Sequence, residues 1–212
     1  NELLAEIEQG YERTKRYKQP KHNLSLVLQI MKDEIINVPT NWEPIENVES
    51  ALDVFIGYLM FDAWIANQDR HHENWGMVVT TADGGKYLAP SFDHASSLGR
   101  NESDTNRKDR LTTRDKARNV EAFVKKAKSA LYSLPTDTKA LSTIDAFFQA
   151  AITSPDAAKS WLTQLEKVSV DEVSAIFGKL PSNEISDIGV DFAIAILDVN
   201  RKRLLDLKER IK

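Results

Sequence analysis

Residues 48–66 constrain the fold of this chain more than any other stretch, because they are apolar on nearly every side of a helix. A helix without a polar face is normally buried in a protein core or in a membrane. Its length of about nineteen residues is compatible with a membrane span, but Glu49, Asp53 and Asp62 fall within it. We therefore expect a buried core helix, which the polar residues 67–74 follow as a loop.

This polar loop carries residues that suit phosphoryl transfer. Asp69 and Asn74 stand five positions apart, and a second carboxylate, Asp93, follows in the tripeptide Phe-Asp-His. Moving a γ-phosphoryl group requires a carboxylate that orients the attacking hydroxyl and a metal ion that neutralises the phosphates. Protein kinases use an Asp-x-x-x-x-Asn loop and a later metal-binding aspartate. The spacing therefore suggests Asp69 for the acceptor hydroxyl, and Asn74 and Asp93 as oxygen ligands of Mg²⁺.

The residues between Asn74 and Asp93 predict a β-hairpin. Residues 77–80 and 86–89 favour strands, and Asp-Gly-Gly at 83–85 is a turn signal. An antiparallel hairpin would place Asn74 and Asp93 together at its open end, where one metal ion can contact both.

The same motifs carry a family resemblance. The pattern Asp69-x-His71-x-x-Asn74, followed by Leu-Ala-Pro-Ser-Phe-Asp ending at Asp93, is similar to the C-terminal lobe of HipA-like kinases. These are serine/threonine kinases of bacterial toxin–antitoxin systems. Phosphoinositide lipid kinases share a related Asp-Arg-His-x-x-Asn run but continue with Asp-Phe-Gly, so Phe-Asp-His favours the HipA-like side. The motif match covers residues 48–99, and a looser similarity of helical pattern extends to the C-terminus.

The resemblance implies roles for individual residues. Asp69 would be the catalytic aspartate and His71 would organise the catalytic loop. Asn74 and Asp93 would hold Mg²⁺ and, through it, ATP. The implied reaction is ATP- and Mg²⁺-dependent phosphorylation of a protein serine or threonine. The implied partners are the protein substrate and either an antitoxin-like protein or a small protein resembling a kinase N-terminal lobe.

The fold implied by the resemblance is mainly α-helical, a protein-kinase-like C-terminal lobe whose small hairpin carries the metal-binding residues. We expect a single domain over residues 1–212. Residues 1–45 predict a helical segment, 48–99 the catalytic core, 100–118 a loop like an activation segment, and 119–212 a helical layer. Residues 100–110 contain no apolar side chain, which predicts a mobile surface loop.

Several boundaries in the helical layer are also predicted. Residues 119–131 show a helical apolar stripe, and residues 190–212 predict a long closing helix. Ser154 before Pro155 predicts a helix start with serine as the cap. Ser169 and Glu172 have the spacing of a capping box, and Gly178 predicts the end of that helix.

Two other classes of function remain open. His71, His72 and His94 lie near Asp69 and Asp93 in sequence, which would suit a transition-metal hydrolase, although adjacent histidines diverge and no cysteine is present. The second alternative is a kinase-derived module that binds a partner without turnover. Its support is the absence of a Gly-x-Gly-x-x-Gly phosphate loop. The chain begins with an asparagine, so we expect a fragment or processed piece whose N-terminal lobe has been removed or is supplied elsewhere.

Composition bears on partners and location. The 212 residues are 42% hydrophobic, which is enough for one sizeable core. A net charge of −4 does not suggest a general nucleic-acid binder. The sequence also shows no basic amphipathic helix of the kind that would indicate membrane docking. The absence of cysteine fits a reducing compartment, so we expect a cytoplasmic protein.

Overall fold

The computed structural model describes residues 2–33, 36–81, 84–181 and 183–212, and it is mainly helical, as predicted. The strands are β1 (Ile36–Asn37), β2 (Met77–Val79) and β3 (Lys86–Leu88). The helices are α1 (Glu2–Ile7), α2 (Leu24–Met31), α3 (Ala51–Ile65), α4 (Asp104–Thr112), α5 (Val120–Val124), α6 (Thr143–Ala151), α7 (Pro155–Lys167), α8 (Val170–Phe177) and α9 (Asp187–Leu205), and a 3-10 helix covers Lys208–Arg210.

Helix α3 lies at the centre of the core, where it contacts α2, α6, α7 and α9. It begins at a capping box formed by Ser50 and Asp53 and ends at Ala66, whose φ of 53° is left-handed. Most of its side chains are buried, which confirms the predicted core helix. In the described part of the chain, none of the helices combines the length and apolar character that a membrane crossing needs.

Helix α7 packs closely against α3 at Gly57. A Cβ atom at Gly57 would lie 2.3 Å from Cε2 of Trp161, so only glycine leaves room for the indole ring. Trp161 Nε1 donates to the backbone oxygen of Asp53 at 2.8 Å. Ser154 precedes α7 as predicted, but its hydroxyl donates to the Asp53 carboxylate at 2.7 Å instead of capping the helix. The position of the helix start is therefore confirmed, and the serine cap is wrong.

Strands β2 and β3 form the predicted antiparallel hairpin, with Val78 opposite Tyr87. Strand β1 pairs parallel to β3, which gives a three-stranded sheet in the order β1-β3-β2. Asp83 of the predicted turn lies outside the described residues. Ala89 N donates to Gly76 O at 2.9 Å, so backbone pairing continues to the open end of the hairpin.

The prediction that residues 100–110 form an irregular loop is wrong, because they contain most of α4. Ser103 caps this helix by accepting from Asn106 N at 3.3 Å, and Arg107 pairs with Asp104 at 2.7 Å. Helix α4 has no buried residue and lies against α9. A side-chain cap and ion pairs thus stabilise a helix that lacks an apolar stripe.

The predicted helix over residues 119–131 is too long, since α5 ends at Val124. Beyond α5 the backbone pairs with another segment of the chain. Ser129 N donates to Leu141 O at 3.0 Å, and Leu141 N donates to Leu131 O at 2.7 Å. These bonds to a distant segment take the place of further helical turns.

Helices α8 and α9 follow the predicted pattern, but α9 begins at Asp187, three residues before the predicted start at 190. Ser169 and Glu172 form a capping box, and Gly178 is the C-cap of α8, as predicted. The closing helix α9 ends at Leu205, and a 3-10 turn follows it, so the prediction that the helix reaches residue 212 is wrong.

Candidate active site

The polar loop at residues 67–75, which we call the catalytic loop, is fixed to α3 by a buried ion pair. Arg70 is fully buried, and its Nε and Nη2 atoms each lie 2.7 Å from an oxygen of the Asp62 carboxylate. The same guanidinium donates to Asn74 O at 2.5 Å and to Ser91 Oγ at 3.0 Å. Since a bidentate arginine fixes direction as well as distance, Arg70 orients both the loop and the segment after β3.

Ala66 and Asn67 turn the chain from α3 into the catalytic loop. The left-handed backbone at Ala66 ends the helix. Asn67 Nδ2 donates to Asp62 Oδ1 at 2.8 Å, and Asn67 Oδ1 accepts from Asp69 N at 3.2 Å. One buried asparagine therefore connects the end of α3 to the residue predicted to act in catalysis.

Asn74 has an amide group whose orientation suits a cation ligand. Its Nδ2 donates to the backbone oxygen of Asp69 at 2.7 Å, and the residue is only 4% exposed. Because the nitrogen is used within the loop, Oδ1 is the atom that Asn74 can offer to a metal ion.

The Asp69 carboxylate faces hydroxyl groups and an imidazole. Its Oδ1 accepts from Tyr17 Oη at 2.5 Å and lies 3.6 Å from His71 Nε2. Its Oδ2 accepts a longer hydrogen bond from Ser96 Oγ at 3.4 Å. A carboxylate that accepts from side-chain hydroxyls is suited to orient an acceptor hydroxyl.

His71 is held by the loop in one tautomer. Its Nδ1 accepts from Glu73 N at 3.1 Å, so its proton lies on Nε2, the atom that faces Asp69. Burial lowers the pKa of His71, and the Asp69 and Glu73 carboxylates oppose this shift. These contacts fit the predicted loop-organising role.

Asp93 follows β3 in an exposed, left-handed conformation with a φ of 54°. Its neighbours on either side are more firmly held: Ser91 Oγ accepts from Arg70 and lies 2.7 Å from His94 Nε2. The hydrogen bond to Asp69 is the largest cause that raises the pKa of Tyr17, and the charge of Asp93 adds to it. The carboxylate of Asp93 is exposed to solvent at the end of the hairpin.

A layer of buried aromatic and imidazole groups supports the catalytic loop from the N-terminal side. Trp75 Nε1 donates to His22 Nε2 at 3.0 Å, and Tyr11 Oη lies 2.7 Å from His72 Nδ1. Burial lowers the pKa of His22 to about 3, so the ring is neutral. Sequence reasoning missed this layer, and it missed Tyr17, because no spacing rule connects residues 11–22 to a loop fifty positions later.

The histidines do not form a metal centre. His71 and His72 have ring planes 74° apart, and His72 and His94 bond to Tyr11 and Ser91 respectively. Within residues 2–33, 36–81, 84–181 and 183–212, no three His, Cys, Asp or Glu side chains are arranged to hold a metal ion. This arrangement gives no support to the transition-metal hydrolase alternative.

Among solved structures, the chain is similar to the crystal structure of the Helicobacter pylori proinflammatory kinase CtkA, with a TM-score of 0.68 and 21% sequence identity. The fold is kinase-like. The similarity covers 99% of this chain and 66% of the CtkA chain, so this chain spans less than two thirds of the length of that structure. No family model and no curated protein matches the sequence.

Proposed function

We propose that this chain is the catalytic lobe of a cytoplasmic HipA-like kinase, which transfers the γ-phosphoryl group of ATP to a serine or threonine of a protein. One observation carries the proposal: Asp69 and Asn74 are joined in a loop that Arg70 fixes to the core helix of a kinase-like fold. Asp93 follows the hairpin that starts from this loop. The HipA-like assignment rests on the sequence motif.

The oxygen atoms at the site fit a magnesium ion. Asn74 can offer its amide oxygen because its nitrogen is committed to Asp69 O. Asp93 offers an exposed carboxylate at the end of the hairpin. Carboxylate and amide oxygens are ligands for hard divalent cations. Bound there, Mg²⁺ would neutralise charge on the phosphates of ATP.

The acceptor hydroxyl would bind at Asp69. Asp69 already accepts hydrogen bonds from hydroxyl groups, and His71 beside it is neutral and fixed in tautomer. Asp69 would accept the hydroxyl proton as the oxygen attacks the phosphoryl group. Arg70 touches no reacting atom and acts as a positioning residue, because it holds Asn74 and Ser91 in place.

Transfer from radiolabelled ATP to protein, measured with the intact protein that contains this chain, tests the proposal. Asp69→Asn should lose transfer while keeping Mg²⁺-dependent binding of ATP, since Asp69 is not a metal ligand in this scheme. Asp109→Asn, on the exposed face of α4, is the matched control and should transfer at the wild-type rate. Full transfer by Asp69→Asn would exclude the mechanism.

A second candidate is a kinase-derived lobe that binds a protein without turnover. Strand β2 favours it, because β2 lies at the edge of the described sheet with Val78 and Val79 exposed. Exposed edge strands are templates for pairing with another chain. A partner resembling an N-terminal lobe would extend the sheet there. This candidate predicts that Val79→Lys abolishes partner binding and that Mg²⁺-dependent nucleotide binding is absent.

A further inference from the structure

Tyr17 occupies the place on Asp69 where an acceptor hydroxyl has to bind. Its Oη donates to Asp69 Oδ1 at 2.5 Å, and its ring lies nearly perpendicular to that of His71, with centroids 5.5 Å apart. Tyr17 lies fifty-two positions before Asp69, so the contact is not a by-product of local chain geometry. A hydroxyl that donates to the catalytic carboxylate is what a phosphoryl acceptor must present.

We propose that residues 12–19, which we call the strap, close the acceptor site through Tyr17, and that an external hydroxyl binds only after the strap has moved. This inference rests on the proposed function of Asp69. Oδ1 is taken by Tyr17, Oδ2 receives Ser96, and the Asp69 side chain is only 17% exposed. An incoming serine or threonine would therefore have to displace Tyr17 to reach Oδ1.

Ion pairs at the surface attach the strap to other parts of the molecule. Arg16 Nε lies 2.5 Å from Glu73 Oε2, and Arg13 Nη2 lies 2.5 Å from Glu2 Oε1. The Arg16 side chain is 59% exposed, and Tyr17 itself is 56% exposed. Ion pairs at exposed sites add little stability, so the strap can leave without unfolding the lobe. By contrast, Arg70 and Asn74 on the other side of the loop are buried.

In this proposal the strap also limits the access of water to Asp69. The Tyr17 phenol has a raised pKa, chiefly because it donates to Asp69, so it stays protonated and remains a donor over the ordinary pH range. In the proposed closed state, the phenol competes with water and with an aliphatic hydroxyl for Oδ1. The strap would therefore suppress ATP hydrolysis as well as phosphorylation of external proteins.

Chemical labelling in the absence of nucleotide tests whether the strap covers Asp69. Carboxylates of the intact protein are coupled to glycine ethyl ester by a carbodiimide, and mass spectrometry measures the rates at Asp69 and at Asp171, which is exposed on α8. Labelling of Asp69 should rise severalfold in Tyr17→Ala and less in Tyr17→Phe, while Asp171 serves as the internal reference. Tyr87→Phe, which removes a hydroxyl from β3, is the matched control and should leave both rates unchanged. Equal Asp69 labelling in wild type and Tyr17→Ala would overturn the proposal.

Hydrolysis of Mg·ATP tests the acceptor role, with water as the acceptor. The Asp69-dependent rate of hydrolysis is the part of the wild-type rate that Asp69→Asn removes. This rate should rise severalfold in Tyr17→Phe, with an unchanged KM for ATP. If Asp69-dependent hydrolysis is measurable and Tyr17→Phe leaves its rate unchanged, the proposed role of the strap is overturned, while the proposed function still stands. A different result would be increased labelling of Asp69 in Tyr17→Ala but no Asp69-dependent hydrolysis in any variant. That result would overturn the proposed function and, with it, the proposal that the strap closes the acceptor site.

Discussion

The catalytic loop and the segment around Asp93 supply the two halves of the candidate metal site, and they are built differently. In the loop, Arg70 is fully buried against Asp62, and Asn74 is 4% exposed with its nitrogen bonded to Asp69. Asp93 is exposed and left-handed. Burial and hydrogen bonds therefore fix the Asn74 half in advance, whereas solvent and a bound cation would set the position of the Asp93 side chain.

The difference separates stability from function. Polar side chains of the catalytic loop are buried against hydrogen-bonding or ionic partners, as Arg70 is against Asp62. Substitution of such a side chain leaves its buried partner without that contact. Asp93 leaves no buried partner behind, so its substitution should change ligand binding and little else. The predictions below test this contrast through the free energy of unfolding.

Arg70→Met should give the largest effect. It leaves the Asp62 carboxylate buried without its cation, which costs about 3–5 kcal/mol of the free energy of unfolding. Denaturant titration followed by circular dichroism measures the loss. Arg118→Met removes a pair between exposed side chains and should cost no more than about 1 kcal/mol. Equal effects of the two substitutions would contradict a buried anchor.

Lowering the pH should reduce the free energy of unfolding, because the neutral ring of His22 is buried beneath the catalytic loop. Burial lowers its pKa to about 3 from an ordinary value of 6.5, so the unfolded chain takes up the proton first. The stability contributed by the neutral ring is complete above pH 6.5 and is lost as the pH falls towards 3. The loss is about 1.4 kcal/mol per pH unit within that window.

Unfolding free energies of wild type and His22→Asn, measured between pH 7 and pH 4, isolate this contribution. The variant should be less stable at neutral pH because Trp75 Nε1 loses its acceptor. The unfolding free energy of the variant should change less steeply with pH than that of wild type, by the slope that corresponds to the uptake of one proton. Parallel slopes would show that His22 takes up its proton as readily in the folded protein as in the unfolded chain.

Asn74→Ala should cost about 0.5–1.5 kcal/mol, because it removes one hydrogen bond to the backbone oxygen of Asp69, which keeps its bond from His71 N. Thermal unfolding measures the loss. Asn101→Ala, at an exposed position before α4, is the matched control and should stay within about 0.5 kcal/mol of wild type. A neutral Asn74→Ala would mean that the loop is not held by this amide.

Asp93→Asn should give the smallest effect on stability, within about 0.5 kcal/mol of wild type. Asparagine tolerates the left-handed backbone at this position, and the Asp93 side chain is exposed to solvent. A loss of stability comparable with that of Asn74→Ala would remove the contrast between the two halves of the site.

The elements that sequence reasoning located share strong local signals. The apolar run of α3, the two β-prone runs and the capping box at Ser169 each specify a structure within a few residues. Helix α4 was missed because its stabilising contacts are ion pairs and a cap at Ser103, which leave no apolar periodicity. The end of α5 depends on backbone pairing with residues 141–143, which no local pattern reveals.

The candidate site shows the same division. The spacing of Asp69 and Asn74 drew attention to the loop, and the structure joins the two residues by a hydrogen bond. The contact of Tyr17 with Asp69 and the support of Trp75 by His22 connect residues more than fifty positions apart. Such contacts depend on how residues 11–22 fold over the loop, and they became visible only in three dimensions.

Calorimetric titration with a non-hydrolysable ATP analogue, with and without Mg²⁺, tests the central claim most directly. The intact protein should bind the analogue in a Mg²⁺-dependent manner. Asp93→Asn should lose that dependence while it unfolds like wild type, and Asp198→Asn on α9 should bind normally. Mg²⁺-dependent binding that is undiminished in Asp93→Asn would contradict the assignment of Asp93 as a metal ligand and, with it, the two-part site described here.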